Sequence, residues 1–199
     1  TLAVQGRAVY DEMEDNNVQF QLYNAYLRFR TPAGYLWAGH SRPALGISAY
    51  LDSHAALLPA LSMKGIGYDR DWGAGYSYEF SSSDIALSVT TGSGMPLYYD
   101  EGNYLASARY SFGVLSQDNF NIGISGAYGE IIETMGYERM MDGTLPFVAG
   151  GIDANLVYDR YELKLEFVTG EKEHESFQAY FARAGVNFLE ENRLTLEVQ

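Results

Sequence analysis

The side chains that most often carry chemistry are scarce in this chain of 199 residues. It has no cysteine and three histidines, His40, His54 and His174. No two of these histidines stand at the short spacing of a zinc or iron site. A serine hydrolase triad is conceivable, but the chain has no G-x-S-x-G stretch. We therefore predict ordinary polar histidines at strand ends or in loops, with no metal, no cofactor and no enzymatic activity.

Two other patterns are weak as binding motifs. Acidic residues cluster at 11–15, at 100–101 and at 142 without the spacing of a calcium loop, so solvated charge is the better interpretation. The glycines at 92–94 and 150–151 do not open a helix, as phosphate-binding loops do. We expect them to mark strand ends and close backbone approach.

The charge and the hydropathy exclude two classes of protein. A formal net charge of −13 argues against binding nucleic acid by phosphate neutralisation. The chain has no run of about 18 apolar residues, which a membrane-spanning helix requires. A barrel strand is apolar on one face only, so a transmembrane barrel gives no such run.

Alternation of side chains is strongest from Lys64 to Phe80. The even positions are mostly aromatic or aliphatic, and the odd positions are small or acidic, as in a strand with one apolar face. Alternation predicts eleven strands, at 2–10, 18–30, 34–40, 63–80, 84–92, 103–113, 119–128, 147–158, 161–169, 175–189 and 193–199. The apolar set switches parity near Tyr23 and Asn24, which predicts a β-bulge there.

The connections between these strands alternate between short and long, with 170–174 intermediate. Bacterial outer-membrane barrels alternate in the same way, with short periplasmic turns and long extracellular loops. We therefore predict an all-β fold: a single domain over 1–199 that forms an antiparallel up-and-down transmembrane β-barrel in the bacterial outer membrane. We expect the chain to be truncated at both ends and to contact lipid and lipopolysaccharide.

The side chains on the strand face opposite the apolar face are then predicted to line a water-filled lumen. Both signs of charge are present among the predicted pore-lining residues, which are Arg7, Asp69, Asp71, Glu79, Asp84, Arg109, Asp153, Glu162, Lys164, Glu166, Arg183, Arg193 and Glu197. Arg70 falls on the lipid-facing parity. The long, apolar connection 41–62 is predicted to fold into the lumen as a constriction loop, with Arg42, Asp52 and His54 setting its field. The alternative is a surface loop that packs on the rim or on a neighbouring subunit.

Two stretches resemble phosphate-selective porin-like outer-membrane proteins. They are Asn24-Ala25-Tyr26-Leu27-Arg28-Phe29-Arg30 with the following 38–46, and Ile152-Asp153-Ala154-Asn155-Leu156-Val157-Tyr158 with the following 161–167. The resemblance implies a porin barrel of about sixteen or more strands, and a homotrimer. With 13 Lys plus Arg against 26 Asp plus Glu, the chain lacks the dense cationic array of that family, so phosphate selectivity is not expected.

The function that follows is a porin through which small hydrophilic solutes or ions diffuse passively. One alternative is a structural barrel around a partner, such as a multihaem cytochrome in an electron conduit. Another is a soluble β-sandwich that acts as a binding module. The sequence does not identify the solute.

Overall fold

Strands dominate the fold of this protein. The computed structural model describes residues 1–10, 18–47, 61–99, 102–188 and 194–198. The strands are β1 (Leu2–Tyr10), β2 (Val18–Thr31), β3 (Gly34–Ser41), β4 (Asp71–Glu79), β5 (Ser83–Thr90), β6 (Tyr104–Phe112), β7 (Phe120–Ile131), β8 (Thr134–Met135), β9 (Glu138–Arg139), β10 (Leu145–Tyr158), β11 (Tyr161–Lys172), β12 (Glu175–Phe188) and β13 (Leu194–Val198). A 3-10 turn covers Leu61–Lys64, and a single helical turn, α1, covers Leu115–Asp118. Across the described ranges, no helix is long and apolar enough to span a membrane.

Eleven of these strands form one antiparallel sheet in which neighbours follow the chain order. The small hairpin β8–β9 lies in the connection from β7 to β10, which pair directly. This arrangement confirms the predicted all-β, antiparallel up-and-down fold. It excludes the sandwich alternative, because a sandwich packs two large sheets face to face. In the part of the chain that the structure describes, no pairing joins β1 to β13, so the sheet has two open edges.

Alternation along the strands matches the predicted parity. On β7, for example, Ile122 and Ile124 are exposed, whereas Gly123 and Ser125 between them are buried. Exposed aromatic residues gather at the end of the sheet that carries the short turns: Phe29, Phe80, Phe112, Tyr158, Tyr161 and Phe188. Such a girdle is typical of a barrel at the membrane–water interface.

The outward face of β6 has the height of a membrane. Tyr104 and Phe112 mark its ends, and at about 3.3 Å per residue they lie ~26 Å apart along the strand. A strand tilt of about 40° reduces this to ~20 Å, close to the ~25 Å apolar band of outer-membrane barrels.

The predicted strand over 63–80 is wrong in its first half. β4 begins only at Asp71, and positive φ angles of 82° at Gly65 and 72° at Gly67 turn the chain before it. Glycine at every second position mimics the small face of a strand, although glycine also permits turns that other residues disfavour. Arg70 therefore precedes the strand and is buried, not directed towards lipid.

The predicted β-bulge and the predicted alternation of connection lengths have different outcomes. The bulge is confirmed: Gln5 pairs with Asn24 and Gly6 with Leu22, so Tyr23 is the extra residue. The alternation of short and long connections fails between β11 and β12. Only two residues join them, and both have positive φ, as in a tight hairpin turn.

The sheet curves around its inward face. Ala44 N donates to Ser88 on β5, and Ile47 N donates to Glu166 on β11. Four strand-to-strand steps separate β5 from β11, which is ~19 Å in a flat sheet. The three residue-to-residue steps from 44 to 47 reach at most ~11 Å. The wall is therefore concave, and residues 44–47 lie in its hollow.

Part of this hollow is filled by an apolar core. We call it the filled sector: inward side chains of β6, β7, β10, β11 and β12 that pack against Leu45, Ile47 and Leu61. The wall contributes Leu105, Ala127, Ile131, Leu145, Phe147, Ala149, Val168 and Phe181. The expectation of a lumen that is wet throughout is wrong here, because this many buried apolar groups exclude water.

Candidate functional site

Residues 41–47, the inward segment, cross the interior at mid-height. They are held by four hydrogen bonds from backbone amides: Ala44 N to Ser88 Oγ (2.9 Å) and Ser107 Oγ (3.1 Å), Gly46 N to Ser125 Oγ (3.1 Å), and Ile47 N to Glu166 Oε1 (3.0 Å). Buried amides need such partners, and a strand-free segment cannot find them on a neighbouring strand. A serine on each of three adjacent strands therefore anchors this segment.

Gly46 is required by the shape of this segment. Its φ angle is 58°, in the region that favours glycine. A Cβ atom at this position would lie 1.8 Å from Glu166 Oε1. Both the backbone conformation and the close approach to the Glu166 carboxylate therefore disfavour larger residues.

Arg109 forms the centre of a buried ion-pair network at the short-turn side of the inward segment. Its Nε and Nη2 donate to the two oxygens of Asp153 at 2.9 and 2.5 Å, and Nη2 also donates to Asn121 Oδ1 at 2.6 Å. Asp84 Oδ1 lies 3.7 Å from Nη1. The guanidinium lies over Gly123, where a Cβ would be 2.4 Å from Nη2. The structure thus brings together Asp84, Arg109 and Asp153 as a bidentate, hydrogen-bonded cluster.

Arg70 forms a second cluster at the other side of the inward segment. It is 3% exposed, its guanidinium stacks on the Tyr23 ring at 3.6 Å, and it donates to Asn24 Oδ1 at 2.8 Å. Its Nη1 also contacts Asp69. Arg42 Nε lies 4.0 Å from the other oxygen of Asp69. Asp69, predicted to line the lumen from a strand, instead joins two arginines in the chain before β4.

Asp71 anchors a loop. Its carboxylate is fully buried and accepts hydrogen bonds from the backbone amides of Gly92, Ser93 and Gly94 at 2.7, 3.2 and 3.1 Å. Thr91 Oγ1 adds a fourth donor at 2.9 Å. Consecutive amides form such an anion-binding concavity when glycines supply positive φ, and here Asp71 occupies it. The predicted close backbone approach at 92–94 is this contact.

Tyr68 joins the same loop to the next one. Its hydroxyl lies 2.8 Å from Gly92 O and 2.6 Å from Ile132 O. Burial, and then the nearby Asp71 carboxylate, raise the pKa of Tyr68 above its usual range. The hydroxyl therefore stays a neutral hydrogen-bond donor between the two loops.

The remaining described members of the predicted lining also lie on the inward parity. Lys164 contacts Glu162 and pairs across the strands with Arg183. Glu166 accepts from the inward segment, and Glu79 is exposed near the end of β4. Whether these residues line a pore stays a prediction.

Some predicted residues lie outside what the structure describes. Arg7 and Glu197 belong to β1 and β13, but their side chains are not among the described ones. Asp52, His54 and Arg193 lie outside the described residues. Of the predicted constriction residues, Arg42 alone is placed.

The two described histidines lie apart. His40 is buried and stacks on Trp72 with the ring centroids 4.8 Å apart. His174 lies in the β11–β12 turn, where Nδ1 is 3.5 Å from Glu171 Oε1. Among the described side chains, no three of the His, Asp or Glu type come together as metal ligands.

Cavities lie against the inward faces of β2, β3 and β4, which we call the open sector, and one of them continues along β5, β6, β7 and β10. Three cavities of about 520, 570 and 450 Å³ are all lined by Arg28. The first also contacts Arg42, the second Ser77, and the third Tyr35 and Glu79. The open sector thus holds adjoining spaces from the short-turn end to the inward segment.

Sequence reasoning missed several residues of this site. The predicted lining does not include Arg28, Ser88, Ser107 or Ser125. The bulge at Tyr23 carries the missed signal, because it shifts the parity of β2 and places Arg28 on the inward face opposite Trp37. The serines gave no signal, since their partner is a segment with no strand pattern.

Comparison with known proteins supports the fold. No family model matches the chain, and no curated protein matches it. Its fold is similar to that of OmpTdeltaL8, a loop L8 deletion mutant of OmpT, an outer membrane protein of Vibrio cholerae, with a TM-score of 0.63 at 11% sequence identity. The match covers 95% of this chain, which spans 64% of the length of the other. The resemblance to phosphate-selective porins is not supported at the level of family.

The same finding overturns the prediction that the chain has no enzymatic activity, because the matched fold does not decide between a channel and an enzyme. Function has to be argued from the side chains of the site. What the comparison shows is that this chain has the β-barrel fold of an outer-membrane protein.

Proposed function

We propose that this protein forms the wall of a passive pore in the bacterial outer membrane, through which small hydrophilic solutes or ions diffuse. The inward segment is the constriction of this pore, and the open sector is its passage. The observation that carries the proposal is the set of three adjoining cavities that share Arg28. Cavities beside residues 41–47 provide a route that a fully packed interior lacks.

The outer surface supports the membrane location. Exposed apolar and aromatic side chains alternate with buried ones along the strands, and lipid is the environment in which such a face is stable. The open edges of β1 and β13 need partners in that environment, because an unpaired backbone group in hydrocarbon costs several kcal/mol. We infer that both edges are paired in the membrane.

The alternative of a sheath around a protein partner has less support. The inward segment and the filled sector occupy the middle of the described interior. A partner threaded through the barrel would have to displace the four amide hydrogen bonds that hold the segment. The homotrimer implied by the resemblance stays a prediction.

Single-channel conductance in a planar bilayer tests the pore. We expect Ser77→Phe, which places a ring on the inward face between two cavities, to reduce conductance at least twofold. The matched control is Ala106→Phe, which adds the same ring on the outward face of β6. A reconstituted protein that never conducts would refute the proposal, and equal effects of the two variants would refute the assigned passage.

A further inference from the structure

The cavity of about 520 Å³ beside the inward segment differs in charge from the rest of the chain. Arg28, Arg42 and Arg70 all line it, and none of its described lining residues is acidic. The chain has only 13 basic residues and a formal net charge of −13. The neighbouring cavity of about 570 Å³ is lined by Glu79, Asp84 and Asp153 as well as by two arginines. Positive charge is therefore concentrated in this one cavity of the proposed passage.

Arg28 is the cation that a solute in this cavity meets. Its side chain is exposed, and its guanidinium lies over the Tyr35 ring, 4.2 Å from the centroid. This stacking fixes the plane of the guanidinium and leaves its edge for an anion. Within the described residues, the ion pairs of the structure do not include Arg28.

Arg42 and Arg70 also contribute positive charge to the cavity that Arg28 lines. Both lie near Asp69, so this trio carries a formal charge of +1, and Arg28 brings the total to +2. Arg70 is held by the Tyr23 ring and by Asn24. A cation that is already ordered loses little further entropy when an anion arrives.

An apolar surface faces these cations. Trp37 pairs with Arg28 across the strands, and its indole packs over Gly75, where a Cβ would lie 2.3 Å from Nε1. Tyr26, Pro43 and Ala44 also line the cavity. A fully hydrated inorganic anion gains no binding energy from contact with this apolar surface. An organic acid can place its carboxylate at the cations and its apolar body against the surface.

We propose that this cavity is a recognition site for small organic monocarboxylates, with the carboxylate at Arg28 and the apolar body against Trp37. The inference rests on the proposed pore function and names the class of solute that the pore favours. A volume of about 520 Å³ accommodates a single-ring acid. The planar fork of a guanidinium matches the two oxygens of a carboxylate.

Binding in detergent solution tests this inference without any need for conduction. The signal is the intrinsic fluorescence of Trp37, with Trp37→Phe to show that the change arises there and not at Trp72. We expect benzoate to bind, and we expect its neutral analogue benzamide and inorganic phosphate to bind at least tenfold more weakly. Arg28→Gln should weaken benzoate binding about tenfold, the loss expected for one charge-assisted contact.

Arg160→Gln is the matched control, because Arg160 is an exposed arginine of the β10–β11 turn and lies outside this cavity. It should leave benzoate affinity within twofold. Equal losses for both variants, phosphate binding as tight as benzoate binding, or no benzoate binding would each overturn the inference. Conductance in potassium chloride, measured on the same preparation, reports the pore separately: a conducting protein that does not bind benzoate contradicts only the recognition site.

Discussion

The filled and open sectors lie on the inward face of one sheet, yet they differ in packing. The filled sector is packed with apolar side chains, whereas the open sector is lined by cavities. In the filled sector, Phe147 stacks on Phe177 with the centroids 6.1 Å apart, and Leu105 is completely buried. In the open sector, Arg28 and Glu79 stay exposed on the inward face. Both sectors are built from strands whose side chains alternate between the two faces. The alternation therefore predicts which residues point inward, but it does not predict whether the interior is packed. Among the described residues, the difference is made by Leu45, Ile47 and Leu61, which pack against the filled sector and not against the open one.

The largest expected effect comes from removing a ring on each side. Phe147→Ala deletes a ring that is 2% exposed and should lower the free energy of unfolding by about 3–5 kcal/mol. Tyr35→Ala removes a half-buried ring from the open sector and should cost about 1–2 kcal/mol. Urea unfolding followed by tryptophan fluorescence measures both. If the two costs were equal, the sectors would not differ in packing.

An intermediate effect is expected at the glycine of the inward segment. Gly46→Ala should cost about 2–3 kcal/mol, since it adds strain at positive φ and displaces the Glu166 carboxylate. We also expect higher conductance, because a displaced segment widens the passage. Gly136→Ala is the matched control: its φ angle is 63°, but a Cβ there meets nothing within 4 Å. The control should cost about 1 kcal/mol and leave conductance unchanged, and an unchanged conductance for Gly46→Ala would separate the segment from the passage.

The smallest effect is expected at the serine anchors. Ser107→Ala removes one acceptor of Ala44 N, while Ser88 keeps the other. The stability cost should be about 0.5–1 kcal/mol, and the more mobile segment should increase the noise of the open-channel current. Ser176→Ala, at an exposed position of β12, should change neither quantity. Equal noise in both variants would show that the anchors do not steady the segment.

Alternation in the sequence was sufficient to predict most of the strands that form the wall and the face on which their side chains lie. β7 shows why: its side chains alternate along the strand, with Ile122 and Ile124 outside and Ser125 inside, so a period of two assigns each side chain to a face. The bulge at Tyr23 was predictable for the same reason, because an extra residue reverses the parity that follows.

The interior was not predictable in the same way. Residues 64–70 alternate as a strand would, yet they form turns, because glycine satisfies both patterns. The role of Asp71 depends on amides about twenty residues away, and the serine anchors depend on a segment with no periodicity. Long-range contacts between irregular backbone and strand side chains leave no local pattern in the sequence.

The donors that hold residues 44–47 in place are all main-chain groups, and this has a practical consequence. Exchanging the side chain of Ala44 for any residue except proline leaves every anchoring donor intact, provided that Gly46 is retained, whereas Leu45 and Ile47 also pack in the filled sector. Protein engineers could therefore vary Ala44, which lines the cavity of about 520 Å³, and select for new permeants while the anchoring of the segment is kept.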